Sequence, residues 1–191
     1  KHEPKNNKIS KKKIKNSGVL ALIQSTIKLF KHINQNVNID YAVILEDDIQ
    51  LIENYQKQLN NIEKNINQFD IVYLGIHCYE SNMRLYKQIF HYKKPIYPLL
   101  KSKSAYRHSF RGAYGYICNR KFRNDIINKG VNTFIENNLP LDNAYWHFNF
   151  YNKLKYGIVS GNHFVLPLLN DEDSNQGYRD QDTIYQKRWY N

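Results

Sequence analysis

Apolar residues recur at regular spacing through the first half of the chain and predict alternating helices and strands. The first helix follows Ser17, an N-cap residue type, because the apolar positions then fall three or four residues apart; they are Val19, Leu22, Ile23, Ile27 and Phe30. Residues 41–45 are a short, nearly continuous apolar run that is typical of a buried parallel strand. Helical spacing returns over residues 53–68, and residues 71–75 have the pattern of a second buried strand. This order predicts two parallel strands joined by a right-handed crossover.

The second half of the chain is less regular. Residues 76–110 show no sustained period and contain Pro95 and Pro98, so we expect a long loop there, and a loop of that length usually carries function. The elements predicted beyond it are a strand at 112–118, a short helix at 121–128, a turn at 139–142, a helix at 143–155 and strands at 157–160 and 164–169. We therefore expect one domain over residues 17–169, preceded by a flexible basic arm over 1–16 and followed by a polar tail over 170–191.

The composition predicts a folded and soluble domain. The 191 residues are 41% apolar and include 16 Tyr, 9 Phe and 2 Trp, which supplies enough apolar area for a core and excludes wholesale disorder. Cys78 and Cys118 can form at most one bridge, so a disulfide framework and a cysteine-based zinc site are excluded. No apolar run approaches the roughly 18 residues of a membrane span, so we expect a soluble chain without a transmembrane segment. The compartment, cytoplasm or a secretory lumen, stays open.

Basic residues outnumber acidic residues and are unevenly distributed. The formal net charge is +11, and lysines dominate residues 1–16. From Ser81 to Asn124 there is no Asp or Glu, while Lys and Arg alternate with Tyr. Such a segment suits phosphates, an anionic glycan or single-stranded nucleic acid. A solvated loop can have the same composition, so both interpretations stay open.

Three consecutive carboxylates, Glu46, Asp47 and Asp48, follow the first predicted strand. Ligands of an open α/β sheet bind beyond the carboxyl ends of its strands, where these residues fall. Their mutual repulsion is relieved by a hard divalent cation, which takes oxygen ligands and also binds diphosphates. Glu46 and Asp48 point to one side of an extended chain and Asp47 points to the other. One of Glu46 and Asp48 can therefore bind the metal directly, while the other acts through water or holds the sugar. The alternative is that these acidic residues stabilise the N-terminus of the following helix.

Several motifs occur along the chain in the order of a known family. They are Ser17-Gly18 followed by Ser25 and Phe30, the strand and acidic motif at 41–48, the Asp-hydrophobic-Tyr-hydrophobic-Gly strand at 69–75, the Ala-Tyr block at 112–117, the Leu-Pro-Leu-Asp turn at 139–142 and the Val-Leu-Pro-Leu motif at 165–168. With these motifs the chain, over residues 17–169, resembles the glycosyltransferase family 25 enzymes, which include lipopolysaccharide-type and collagen galactosyltransferases.

The resemblance implies a GT-A fold, an α/β Rossmann-like and mostly parallel sheet flanked by helices. It also implies inverting transfer of a sugar from a UDP-sugar, with Mn²⁺ as the metal and a glycan or a hydroxylated protein side chain as the acceptor. In that picture Glu46 and Asp48 bind the metal and the diphosphate, Asp47 contacts the donor sugar or the ribose, and Asp142 is the general base. The family pattern begins with a nucleotide-binding strand that has no counterpart before Ser17, so we expect this chain to lack that strand.

Two further residues are candidates for the same site. His163 is a possible additional metal ligand, as histidine is in many GT-A enzymes, and a structural histidine is the alternative. Arg111 is a candidate for binding the diphosphate or an acidic acceptor, because the fork of a guanidinium matches phosphate oxygens. For Arg111 a position in a solvated loop is the alternative.

Two other classes of function remain open at this point. A basic nucleic-acid-binding module is favoured by the net charge, although no RNP, KH, zinc-finger or helix-turn-helix pattern is present. A truncated, non-catalytic transferase domain is the other alternative. Stabilisation by UDP with Mn²⁺, compared with stabilisation by short oligonucleotides, distinguishes these classes.

Overall fold

The computed structural model describes residues 17–47, 49–75, 77–78, 83–99, 110–111, 114–130, 153–161 and 165–167. Its helices are α1 (Ser17–Gln35), α2 (Tyr55–Glu63), α3 (Met83–Phe90) and α4 (Arg120–Asp125); a 3₁₀ turn (Ile66–Gln68) follows α2 and a π turn (Ile126–Gly130) follows α4. Its strands are β1 (Tyr41–Leu45), β2 (Ile49–Leu51), β3 (Ile71–Tyr73), β4 (His77–Cys78), β5 (Ile96–Pro98), β6 (Phe110–Arg111), β7 (Gly115–Asn119), β8 (Tyr156–Val159) and β9 (Val165–Pro167).

The main sheet has five strands in the order β1-β7-β3-β8-β5. β7 runs antiparallel to β1 and β3, β5 runs antiparallel to β8, and β3 and β8 are parallel neighbours. The expected mixed α/β class is confirmed, but the described strands form a mostly antiparallel sheet, and the GT-A-type parallel arrangement is not confirmed. β1 and β3 still point the same way, as predicted, because both are antiparallel to β7. The insertion of β7 between them was not indicated by the sequence.

The two faces of the main sheet carry separate apolar clusters. On one face, residues of β3, β7 and β8 pack with residues of α1 and α4, in a cluster that includes Ile23, Phe30, Tyr73, Tyr116 and Phe122. On the other face, Val72, Ile117 and Val159 pack with Ile62 of α2 and with Ile66. Successive residues of a strand point to opposite faces, which is why Tyr73 and Val72 belong to different clusters.

β1 has the predicted bounds but not the predicted burial. Among the described strands of the main sheet it is an edge strand, and Val43 and Leu45 are 44% and 41% exposed. The apolar run predicted a strand covered on both faces, and this prediction was wrong. An apolar run shows that a segment can be buried, but it does not show how many neighbouring strands the segment acquires.

The helix predicted at 53–68 is two shorter elements, α2 and the 3₁₀ turn. Residues 53 and 54 form a turn between β2, which pairs with β9 and ends at Leu51, and the start of α2 at Tyr55. The middle segment, which we expected to be a loop, contains α3 and also β5, a strand of the main sheet. β5 accommodates Pro98 because it lies at the sheet's other edge, where a proline interrupts no inner ladder.

Three further predicted elements lie in described parts of the chain, and others lie outside them. α1 is confirmed, with Ile23 and Phe30 fully buried, but Leu22, predicted on the same face, is exposed. The short helix near residue 121 and the strand near 157 are also confirmed. The arm at 1–16, the turn at 139–142, residues 143–152 of the helix predicted at 143–155, and the tail lie outside the described residues. Residues 153–155, where that predicted helix was to end, are described and are not helical. Of the helices that the structure describes, none is long and apolar enough to cross a bilayer.

Candidate active site at the carboxyl end of the sheet

One end of the main sheet collects the ends of β1, β3 and β8 and the beginnings of β7 and β5. The backbone N–H of Glu46 donates to the carbonyl of Tyr114 at 3.0 Å, and the N–H of Ser160 donates to the carbonyl of Pro95 at 3.0 Å. β3 lies between β7 and β8 in the sheet, and Gly75 follows the end of β3 at this same end of the sheet. Because β1, β3 and β8 point the same way, we call this the carboxyl end of the sheet.

The acidic motif lies at this carboxyl end, directly after β1. Glu46 is half-buried and its backbone is fixed against the start of β7, whereas Asp47 is exposed in the turn that follows. Asp48 lies outside the described residues. Beyond it, β2 leads the chain away from the main sheet and pairs with β9. The structure therefore places two of the three predicted acidic residues at the carboxyl end of β1.

The backbone of Arg111 is brought to the same end of the sheet. Arg111 lies in β6, which pairs antiparallel with β4, and it is opposite His77 in the register. β4 begins shortly after Gly75, at the carboxyl end of β3, and β7 begins shortly after Arg111. The sheet topology thus gathers Glu46, Asp47 and the backbone of Arg111 at one end, although they are far apart in sequence.

The other predicted site residues, Asp142 and His163, lie outside the described residues, as Asp48 does. Within the described part of the chain, no group of three or more His, Cys, Asp or Glu residues is arranged to hold a metal ion. The predicted metal set of Glu46, Asp48 and His163 is not tested by this observation, because two of its members are not described.

Asp70 lies at the opposite end of the sheet, just before β3, and its buried carboxylate accepts hydrogen bonds from three donors. These are the backbone N–H of Lys155 at 2.8 Å, Nδ2 of Asn119 at 3.0 Å and Nζ of Lys121 at 3.1 Å. Burial raises the pKa of Asp70, but the hydrogen bonds and the charge of Lys121 outweigh burial, so the pKa is lowered from its ordinary value. The family motif around Asp70 therefore holds β3, β7 and β8 in register.

Two arginines fix the start of β1 and were not identified from the sequence. Arg123 is fully buried, and its guanidinium donates to the carbonyls of Ile39, Asp40 and Cys118 and to Oδ1 of Asn34. Arg120 donates to the carbonyls of Asn34, Asn36 and Ile39. Apart from the carbonyl of Cys118, which belongs to β7, these groups lie at the end of α1 and in the turn before β1, where helix carbonyls lack helical partners. For Arg123 the signal in the sequence is its position, directly after Phe122 and three residues before Ile126, because both of these neighbours are buried.

The chain was compared with known proteins. It matches the family model described as glycosyltransferase family 25 (LPS biosynthesis protein) over residues 1–143. This range is 143 of the 191 residues and includes the acidic motif, Asp70, Arg111 and Asp142, whereas His163 lies beyond it. No curated protein matches the chain. Since the match covers most of the chain, the chain belongs to glycosyltransferase family 25 and is a glycosyltransferase, an enzyme that transfers a sugar from a donor to an acceptor.

Proposed function

We propose that this glycosyltransferase is metal-dependent and inverting, and that it transfers a hexose such as galactose from a UDP-sugar to a hydroxyl of a glycan or of a hydroxylated protein side chain. The observation that supports this proposal is the position of the acidic motif. The family match covers residues 46–48, and Glu46 and Asp47 lie at the carboxyl end of the sheet. Ligands bind at this end of open α/β sheets.

The chemistry of the donor set fits a hard divalent cation such as Mn²⁺. Carboxylate oxygens are the ligands that such cations prefer, and adjacent carboxylates are stabilised by the positive charge. We assign Glu46 and Asp48 as metal ligands, with His163 as a third. The bound cation supplies charge stabilisation for a diphosphate leaving group.

The other assigned residues bind the donor. Asp47 is exposed beside Glu46, so its carboxylate is available to accept hydrogen bonds from hydroxyls of the donor sugar or the ribose. Arg111 is assigned to the diphosphate, because β6 brings its backbone to the carboxyl end of the sheet and a guanidinium can bind two phosphate oxygens at once.

Asp142 is assigned as the general base. Inverting transfer needs a carboxylate on the side of the anomeric carbon opposite the leaving group, where it accepts the proton of the acceptor hydroxyl as the new bond forms. Asp142 belongs to the Pro-x-Asp turn of the family pattern and lies within the matched range.

The test is a thermal melt of the full chain with UDP, with Mn²⁺ and with both. We expect UDP and Mn²⁺ together to raise the melting temperature more than either alone, because a ligand that binds only the folded state stabilises it. Asp48→Ala should lose the metal-dependent part of this shift and keep its melting temperature without ligands, and Glu46→Gln should lose less. Asp125→Asn, which removes one charge far along the chain on α4, is the matched control.

The outcomes separate the parts of the proposal. Unchanged Mn²⁺-dependent stabilisation by UDP in Asp48→Ala contradicts the metal assignment. Stabilisation by short oligonucleotides but not by UDP contradicts the assignment of a UDP-sugar as the donor and favours nucleic-acid binding by this chain. NMR of the glycoside formed from a UDP-α-sugar reports the stereochemistry, and an α-linked product contradicts inversion.

A further inference from the structure

The loop between α3 and β5 carries a cluster of positive charge at the carboxyl end of the sheet. We propose that this loop, with Lys93 and Lys94 at its centre, binds a phosphate or carboxylate group of an oligosaccharide acceptor. The proposal rests on the proposed transferase function and names the class of its acceptor as anionic.

The first observation is the charge of the segment. Residues 83–99 contain Arg84 and three lysines but no Asp or Glu. Lys87, Lys93 and Lys94 are exposed, and within the described part of the chain none of them takes part in a salt bridge. Among the residues that the structure describes, no carboxylate pairs with these lysines, and an exposed cluster of one sign attracts an oppositely charged ligand.

The second observation is that the backbone of the loop is held in place. Ser160, which follows β8, donates from its N–H to the carbonyl of Pro95 at 3.0 Å and from its hydroxyl to the carbonyl of Lys94. Tyr92 and Tyr97 contact each other edge to face, with ring centroids 5.1 Å apart, and Tyr97 also packs against the core. The lysines therefore extend from a fixed backbone, which reduces the ordering that a ligand must impose.

The third observation is the place of the loop relative to the acidic motif. β1 and β5 are at the two ends of the strand order, and residues 46 and 95 both lie at the carboxyl end. Four spacings between neighbouring strands separate them by roughly 19 Å. This distance exceeds one sugar unit, so an acceptor whose hydroxyl reaches the acidic motif while its anionic group reaches Lys93 and Lys94 has to be longer than a monosaccharide, as an oligosaccharide is.

The aromatic residues of the loop favour a saccharide over single-stranded nucleic acid. Proteins that bind single strands stack bases on free aromatic faces. Here the edge-to-face contact covers one ring face, and the packing of Tyr97 against the core covers more of the pair. The exposed rings of Phe90 and His91 are paired in the same edge-to-face way, with centroids 5.2 Å apart. The loop therefore offers charge beside aromatic rings that already contact one another.

The test measures binding to the full chain by calorimetric titration, without donor or metal. The probes are a phosphorylated mannopentaose, the same oligosaccharide after phosphatase treatment, an oligogalacturonate of equal length, and a short oligothymidylate. The variant is Lys93→Gln with Lys94→Gln. The control is Lys28→Gln with Lys31→Gln, which removes the same charge from two exposed positions of α1.

We expect at least one of the two anionic saccharides to bind more tightly than the neutral one, with an affinity that falls as salt rises. The relative affinities of the phosphorylated and carboxylated probes identify which anionic group the loop prefers. The Lys93/Lys94 variant should weaken this binding roughly three- to tenfold, since each exposed ion pair contributes modestly. The Lys28/Lys31 control should change it less than about twofold.

Three results overturn the proposal. One is equal binding of charged and neutral saccharides, another is an equal loss in both double variants, and the third is tighter binding of the oligothymidylate that depends on Lys93 and Lys94. Because the titration contains no UDP and no metal, its failure is distinct from failure of the UDP and Mn²⁺ melt.

Discussion

At the scale of single residues, Asp70 shows how one buried carboxylate contributes to stability. It accepts hydrogen bonds from Lys155, Asn119 and Lys121, and these come from two separate segments of the chain, the residue before β8 and the junction of β7 with α4. Its pKa is lowered in the folded state, so folding is favoured by the ionised form. This contribution is fully present above the unfolded pKa of about 3.9 and is lost as pH falls through the lower folded value.

We predict that Asp70→Asn lowers the free energy of unfolding at neutral pH by about 1–3 kcal/mol, because the variant loses charge-assisted hydrogen bonds. The difference from wild type should shrink as pH falls below about 4 and through the lower pKa of the folded state, where the folded wild-type carboxylate becomes protonated. Urea denaturation as a function of pH measures both effects. Asp125→Asn is the control, because its exposed pair with Lys129 should contribute less than about 0.5 kcal/mol. A pH-independent difference for Asp70→Asn would contradict the ionic role.

Asp142 is the residue on which the proposed chemistry depends most directly. We predict that Asp142→Asn keeps near-normal stability and UDP-sugar binding while kcat falls by roughly 100-fold or more, because the amide cannot accept the proton. The competing role is an N-cap for the predicted helix that follows, and Asn caps a helix about as well as Asp. The substitution therefore removes the base and preserves the cap. Normal turnover by the variant removes Asp142 from the mechanism.

At the scale of elements, the junction between α1 and β1 depends on α4. The last turn of α1 leaves carbonyl groups without helical partners, and Arg120 and Arg123 donate to carbonyls in this region and in the turn that follows. A cation near the C-terminus of a helix also interacts favourably with the helix dipole. β1 begins directly after this turn and ends at the acidic motif, so the arginines fix the strand that carries Glu46.

We predict that Arg123→Lys lowers the free energy of unfolding by about 2–4 kcal/mol, although it keeps the positive charge. A single ammonium cannot reach the four acceptors that the guanidinium contacts, so buried carbonyls lose their donors. Urea denaturation measures the loss. Lys129→Gln, at an exposed position, is the control and should change stability by less than about 0.5 kcal/mol. If Arg123→Lys is as stable as wild type, the charge matters and the hydrogen-bond geometry does not.

The sequence predicted an element well where the apolar residues within that segment alone show a regular pattern. α1, β1, β3 and β8 were predicted close to their observed bounds, because the apolar period of each segment is sufficient to define it. α3 and β5 were missed, because Pro95 and Pro98 suggested a loop. A proline is compatible with an edge strand, and the edge position of β5 depends on its pairing with β8 rather than on its own residues.

The candidate site could be predicted only in part for a similar reason. The acidic motif follows an apolar run, so its position at a strand end was evident from local sequence. The approach of β6 to the end of β3 depends on pairing between β4 and β6, which are short and distant in sequence. The anchoring of Lys94 by Ser160 likewise joins segments that no local pattern connects.

At the scale of the whole molecule, the two ends of the sheet have different roles. The end that contains Asp70, Asn119 and Arg123 is rich in buried hydrogen bonds between segments. The carboxyl end contains the exposed Asp47 and the exposed lysines of the loop before β5. A rigid end that fixes strand register and an accessible end that binds ligands are consistent with a site carried on a stable scaffold.

Cys118 provides a probe of how cooperatively this scaffold unfolds. It lies in β7, between β1 and β3, and its free thiol is fully buried. Burial raises the pKa of the thiol to about 12, and the nearby charge of Arg123 reduces this rise only in part. The thiolate is the reactive form, so modification of Cys118 requires that the thiol first become exposed to solvent.

We predict that Cys118 reacts with a thiol reagent only through global unfolding. In a Cys78→Ser background, which leaves Cys118 as the single cysteine, the logarithm of the reaction rate should rise with urea at the slope of the global unfolding transition. The reason is that exposing the centre of the sheet requires separation of β1 or β3 together with the helices packed on that face. A rate that is already high without urea, or that rises with a much smaller slope, would show that β7 and α4 open locally while the rest of the sheet stays folded.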